Sequence, residues 1–169
     1  EIAFLKTAGV PVVLSIFGSN PDEIVRVAEI GAQYRPDAIE LNLSCPHAEI
    51  AQISHSPDLT YKYVRAVRDT VDCNVFAKLT PNASDIVSVG KAAEQAGADA
   101  VVAINTVRAM KIDIYQKRPV LGNLVGGLSG PAIFPIAVRC VFDLYNALDI
   151  PVIGVGGVAS WEDAVEMHM

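Results

Sequence analysis

The sequence predicts an α/β chain built on a parallel sheet, and three observations carry that prediction. Short apolar runs alternate with stretches of helical period, giving five strands, each followed by a helix or the start of one. Strict alternation implies parallel strands joined by helical crossovers. Most of the runs are apolar on both faces, as expected when both sides of a sheet are covered. Polar residues and glycines gather where the strands end, and the C-terminal strand ends are where parallel α/β folds bind ligands. Two architectures fit the spacing. Five units complete a doubly wound open sheet, whereas an eight-stranded barrel needs about 250 residues, so this chain of 169 would be part of one. Periodicity does not choose between them. No near-identical repeat or low-complexity tract divides residues 1–169, which are read as a single domain.

Each element has a local reason. Residues 1–6 read as the end of a helix already under way. Residues 11–15 form a short apolar strand, closed by Gly18-Ser19-Asn20. Asn20-Pro21-Asp22-Glu23 is a helix start: a capping Asn, proline at the first helical position and a Glu at the third. Ile24, Val25, Val27, Ala28 and Ile30 give that helix its apolar stripe. Residues 38–44 form the second strand, with Ile39, Leu41 and Leu43 on one face and Glu40, Asn42 and Ser44 on the other. Cys45-Pro46 ends it, because proline cannot continue the ladder. Residues 46–56 lack a period and are read as a loop. Ser56-Pro57-Asp58 opens a helix running to about residue 71, with Leu59, Tyr63, Val64 and Val67 along it. Residues 75–79 are a strand. Ser84-Asp85 caps a helix to residue 96, and Gly97 suits a left-handed C-terminal cap. Residues 99–104 are a strand, 106–130 a long irregular segment, and 132–148 a helix with Pro135 in its first turn. Residues 151–154 are the last strand, Gly156-Gly157 a turn, and Ser160 opens one more helix.

Composition narrows the partners. Half of the residues are hydrophobic and 19% are charged, the balance of a globular chain. A net charge of -6 disfavours a nucleic-acid surface, which needs clustered Lys and Arg. No apolar run reaches the length of a membrane span. The three cysteines, Cys45, Cys73 and Cys140, have an odd count and no metal spacing, so no metal site is expected. Reduced thiols in the cytoplasm are the expectation.

The chemistry lies at the strand ends. The second strand ends in Asn42-Leu43-Ser44-Cys45, the third in Ala77-Lys78-Leu79-Thr80-Pro81-Asn82, the fourth in Ile104-Asn105-Thr106 and the fifth in Gly154-Val155-Gly156-Gly157. In any parallel arrangement these converge on one rim. The amides of Asn42 and Asn105 suit a flat ligand with alternating carbonyl and N–H groups. Lys78 suits a ligand that becomes negative, such as a reduced flavin. Gly126-Gly127 and Gly156-Gly157 allow close backbone approach and N–H contacts to phosphate. Plain structural roles stand beside these. A lone cysteine is commonly a small buried hydrophobe, the reading taken for Cys73 and Cys140. The asparagines suit strand-end turns, Lys78 suits a snorkelling surface position, and glycine pairs mark ordinary turns. His47 and His55 read as exposed loop residues.

Five stretches resemble class 1 dihydroorotate dehydrogenases, the catalytic subunit of the class 1B form most of all. They are Glu40-Leu41-Asn42-Leu43-Ser44-Cys45-Pro46, Ala77-Lys78-Leu79-Thr80-Pro81-Asn82, Ile104-Asn105-Thr106, Gly126-Gly127-Leu128-Ser129-Gly130-Pro131-Ala132-Ile133 and Gly154-Val155-Gly156-Gly157. The likeness runs from about Pro11 to Met169. It implies part of an FMN-binding (β/α)8 TIM barrel, with about five of the eight strands present and flanking strands missing at both ends. Cys45 matches the family's catalytic base. Asn42, Asn105 and Thr106 match residues that hold the pyrimidine. Asn42, Lys78, Ile104, Gly130, Gly156 and Gly157 match flavin-binding positions. The implied reaction oxidises dihydroorotate to orotate in pyrimidine biosynthesis: Cys45 takes the C5 proton while C6 gives hydride to flavin N5. Lys78 would stabilise negative charge on the reduced flavin. The class 1B form passes electrons to a separate subunit carrying FAD and a 2Fe-2S cluster and then to NAD, and a homo-oligomeric core is expected.

The chain departs from the pattern at three places. His47 stands where the family has a substrate-contacting Asn, residues 48–56 lack the glycines typical of the active-site loop, and Ser15 replaces a flavin-contacting Asn. A second resemblance is to the pyrimidine-reducing domain of dihydropyrimidine dehydrogenase, which carries Ser-Cys-Pro-His as here and uses its cysteine as an acid. Gly127-Leu128-Ser129-Gly130-Pro131 and Ile104-Asn105-Thr106 are closer to the class 1B pattern. A reading of another class is a non-catalytic phosphate-binding α/β domain that uses only its glycine turns.

Overall fold

A computed structural model describes residues 1–43 and 55–169. Its frame is a five-stranded parallel sheet of β1 (Val13–Ile16), β2 (Ala38–Asn42), β3 (Asn74–Leu79), β4 (Ala100–Ala103) and β9 (Val152–Gly154). The strands lie in sequence order, β1-β2-β3-β4-β9. A doubly wound sheet reverses its order at a switch point. Here every crossover steps the same way, which is the winding of a (β/α)8 barrel, and the five strands form an arc of one. Spacing alone had left this choice open.

The register explains which side is which. Ile39 lies beside Val75, and Leu41 beside Ala77; Ala77 lies beside Val101, and Leu79 beside Ala103. All of these are buried, and they pack with Ile24, Val64, Val89, Ala137 and Leu144 of the helices. The alternate positions, Ser15, Glu40, Phe76, Lys78 and Val102, share the opposite, inner face.

The helices start where capping chemistry places them. They are α1 (Ile2–Lys6), α2 (Pro21–Ala32), α3 (Pro57–Arg68), α4 (Ile86–Gln95), α5 (Phe134–Tyr145) and α6 (Trp161–His168). Asn20, Ser56, Asp85 and Ser160 are the N-caps of α2, α3, α4 and α6, and each side chain accepts a first-turn backbone N–H. Ser160 and Asp163 complete a reciprocal capping box. Gly97 takes φ +92 just beyond α4, the left-handed position expected of it.

Three expectations need correction. Ile30 is exposed rather than part of the buried stripe of α2; the stripe is Ile24, Ala28 and Gly31, spaced by four and three residues along one face. The helix expected over 132–148 begins as a short 3-10 turn, Pro131–Ile133, ahead of α5. Residues 106–130 are irregular only in part. They fold as an excursion of two antiparallel pairs, β5 (Val107–Ala109) with β8 (Gly126–Leu128) and β6 (Ile112–Asp113) with β7 (Arg118–Pro119). Strands of two or three residues are too short to show a period. The excursion also changes the reading of Gly126-Gly127. A side chain on Gly127 would run into Thr106, and one on Gly126 into Leu121, so these glycines permit close packing within the excursion.

Candidate active site at the C-terminal strand ends

A cleft of about 630 Å³ opens at the C-terminal ends of β3, β4 and β9. Its size is that of a small-molecule or cofactor site. Lys78, Ile104, Asn105, Thr106, Gly130, Gly156 and Gly157 all line it. Asn42 joins through its neighbour: Asn105 Nδ2 donates to Asn42 Oδ1 at 3.0 Å. The eight described residues singled out on separate strand ends therefore meet at one place. Cys45, His47 and the 48–54 part of the glycine-poor loop lie outside the described residues.

The backbone brings each group there. Parallel pairing puts Asn42 of β2 beside Lys78 of β3, both on the inner face. Asn105 is fixed at three points: its N–H donates to Leu79 O at 2.8 Å, its Oδ1 accepts from Thr106 N at 2.8 Å, and its Nδ2 reaches Asn42. Both glycines at the β9 end have positive φ, +134 at Gly156 and +78 at Gly157. A Cβ at Gly157 would lie 2.7 Å from Phe134 N. Only glycine lets the turn after β9 sit this close to the start of α5. Gly130 has φ +87 and ψ -173, a backbone state that side chains disfavour, while the space around it is open. Ile133, Val155 and Met167 complete an apolar wall.

Two polar clusters escaped the sequence reading. Ser15 Oγ donates to Glu40 Oε1 at 2.7 Å, and Lys78 Nζ lies 3.8 Å from the same oxygen. Glu40 is buried. The available signal was its place on the Asn42 face of β2. Asn82 is the second. Its Nδ2 donates to Thr80 Oγ1 at 2.7 Å and to Thr106 O at 3.0 Å, while its Oδ1 accepts from Arg108 N at 2.9 Å. It thus ties the end of β3 to the turn that carries Asn105 and Thr106.

The remaining cysteines match their plain reading. Cys140 is buried and Cys73 half-buried, and burial raises the pKa of both thiols. Such thiols are poor nucleophiles. Among the described residues no group of His, Cys, Asp and Glu could hold a metal ion, and no helix is long and apolar enough to cross a membrane.

An arc of parallel β/α units wound in one direction is a portion of a barrel, and the cleft lies at the C-terminal rim where barrels of this kind bind ligands. The dihydroorotate dehydrogenase family model matches residues 3–169, and the chain belongs to that family. It is 58% identical to the dihydroorotate dehydrogenase B (NAD(+)) catalytic subunit of Methanosarcina acetivorans, over all of this chain and 55% of that protein. It is 56% identical to the subunit of the same name from Pyrococcus abyssi, over 92% of this chain and 52% of that one. The chain thus spans about half the length of these relatives. Among solved structures, dihydroorotate dehydrogenase of Eimeria tenella, crystallised with ferulenol, aligns with a TM-score of 0.69 at 19% identity, over 87% of this chain and 45% of that one. That likeness supports the barrel fold.

Proposed function

We propose that residues 1–169 form part of a single FMN-binding barrel domain that oxidises dihydroorotate to orotate in pyrimidine biosynthesis. The observation that carries this reading is the cleft. Seven residues matched to flavin or pyrimidine contacts on three strand ends and the Gly130 turn line one space. FMN fits that space on three counts. The Gly130 turn has open space where a side chain would stand, the wall of Ile104, Ile133 and Val155 is apolar, and Lys78 lines the cleft. Lys78, Ile104, Gly130, Gly156 and Gly157 would hold it, with Asn42 beside it. When bound, the flavin supplies the hydride acceptor.

The chain's own groups supply the rest. Asn42, Asn105 and Thr106 orient the flat pyrimidine through paired donors and acceptors. Cys45 removes the C5 proton. A free thiol has a reference pKa of about 8.5, so it serves as a base where its site lowers that value or the medium is mildly alkaline. Lys78 sets positive charge where negative charge develops. The relatives named above are catalytic subunits of an NAD(+) form. By analogy, electrons leave through a separate subunit with FAD and a 2Fe-2S cluster, within a cytoplasmic homo-oligomer.

The test uses the full-length protein. It is expected to purify with FMN, to be reduced by dihydroorotate, and to leave uracil unreduced in the presence of NADPH. Cys45→Ser should retain flavin and slow flavin reduction by about 10²–10⁴-fold, the usual loss when a general base is removed. A colourless protein, or reduction unchanged in the serine variant, would overturn the reading.

A further inference from the structure

The inner face of the sheet carries a buried acid to which the reading above gives no role. Glu40 sits on β2 between Ser15 of β1 and Phe76 of β3 in register, one inner-face position before Asn42, and Lys78 is paired with that Asn42. Ser15 Oγ holds Glu40 Oε1 at 2.7 Å, and Lys78 Nζ approaches the same oxygen at 3.8 Å. The Glu40 side chain is 12% exposed and that of Lys78 23%. Their inner-face neighbours Phe76, Ala100 and Val102 are apolar. Water therefore screens the pair weakly, and either charge left alone would be costly.

We propose that Glu40 is the counter-ion and positioning residue of Lys78, so that the cleft presents an ammonium balanced by a neighbouring carboxylate rather than a bare cation. The hydroxyl of Ser15 fixes the carboxylate, and the fixed carboxylate aims the ammonium. The consequence concerns ligands that gain negative charge in the cleft. A carboxylate this close to the ammonium offsets part of its field, so the pair favours the reduced, more negative form of a ligand less than an unpaired lysine would. The part of this inference that concerns a redox ligand rests on the flavin reading; the pairing does not.

The experiment therefore has two arms, both on the full-length protein. In the flavin-free protein, urea unfolding is measured for Glu40→Gln, Lys78→Met and the double variant. Each single variant is expected to lower the folding equilibrium constant about tenfold or more, because it strands the other member, and the double variant to recover part of that loss. Strictly additive losses would overturn the pairing. In the FMN-bound protein, Glu40→Gln keeps an acceptor for Ser15 and removes only the charge. It is expected to raise the preference for reduced over oxidised FMN about tenfold, an increase of about 30 mV in a two-electron midpoint. An unchanged or lowered midpoint would overturn the charge-balancing role. A protein that binds no FMN would overturn the flavin reading instead, and the first arm would still decide the pairing.

Discussion

Replacing Gly157 with alanine isolates what the turn after β9 contributes. At φ +78 an alanine enters the left-handed region, which costs roughly 1–2 kcal/mol. Its Cβ would also lie 2.7 Å from Phe134 N and 2.8 Å from Phe134 Cα, at the first residue of α5. Those are backbone atoms, so relief requires moving the helix start or the turn. Overpacking of this kind typically costs about 1–3 kcal/mol. The two effects together give about 2–5 kcal/mol, a large share of the roughly 5–15 kcal/mol that holds a native protein folded. Gly130→Ala is the control. Its φ of +87 and ψ of -173 carry a backbone cost of about 1–3 kcal/mol, but nothing lies within 4 Å of the added Cβ. Urea unfolding of both full-length variants measures the difference. Gly157→Ala should be the less stable by about 1–3 kcal/mol and should lose more affinity in an FMN fluorescence titration. Equal losses from the two variants would refute the close-approach argument for Gly157.

The other side of the cleft can be probed through Asn82. Asn82→Ala removes three hydrogen bonds at an exposed site and should cost about 1–3 kcal/mol in urea unfolding, with orotate affinity falling more than FMN affinity because the Asn105–Thr106 turn loosens. An unchanged orotate titration would show that the clamp does not position that turn. His47→Asn restores the family's amide, so orotate should bind equally or more tightly; a tenfold loss, about 1.4 kcal/mol, would mean that the imidazole makes a contact of its own. Two helix caps predict part of the acid behaviour. The Ser88 hydroxyl and N–H hold Asp85 below the ordinary carboxylate range, and the Ala159 N–H followed by Ser160 does the same for Asp163. A depressed folded pKa stabilises above the unfolded value of about 3.9 and is lost as pH falls through the folded one. Asp163→Asn should therefore flatten the stability curve below about pH 4; a thermal-midpoint profile parallel to the unmodified protein would count against that.

The contrast between what was legible and what was not has a physical origin. N-caps at Asn20, Asp85 and Ser160 depend on residues three positions apart, so they are written locally. So is the alternation that buries Ile39 and Leu41 and turns Asn42 inward. The arc is different. Whether β2 pairs next to β1 or across a switch point depends on contacts between distant segments, and apolar runs of similar length serve both. The Ser15–Glu40–Lys78 cluster is hidden for the same reason. Its members are spread over three strands and meet only once the register is known. Gly127 shows how a distant neighbour adds a reason that local sequence does not carry. A glycine pair suits a turn or a phosphate contact locally, and the neighbour that a side chain at Gly127 would strike is Thr106, just before β5.

The arc also predicts how residues 1–169 behave when expressed alone. A closed barrel has no sheet edges. Among the described residues β1 and β9 each have a strand neighbour on one side only, which makes them the edges of the sheet. The inner face near those edges is apolar and uncovered: Val13 is 49% exposed and Ile153 38%. Edges of this kind pair with other chains, and apolar surface beside them strengthens the association. The cleft itself is bounded on one side by β9, so among the described residues no further strand flanks its Gly156–Gly157 turn. The 169-residue chain is therefore expected to associate or precipitate, to hold no FMN and to leave dihydroorotate unchanged. Sedimentation of the purified segment, its flavin absorbance and a dihydroorotate assay test all three. A soluble yellow monomer that oxidises dihydroorotate would mean that the arc closes its own edges, by a pairing of β1 or β9 that this sheet order does not contain.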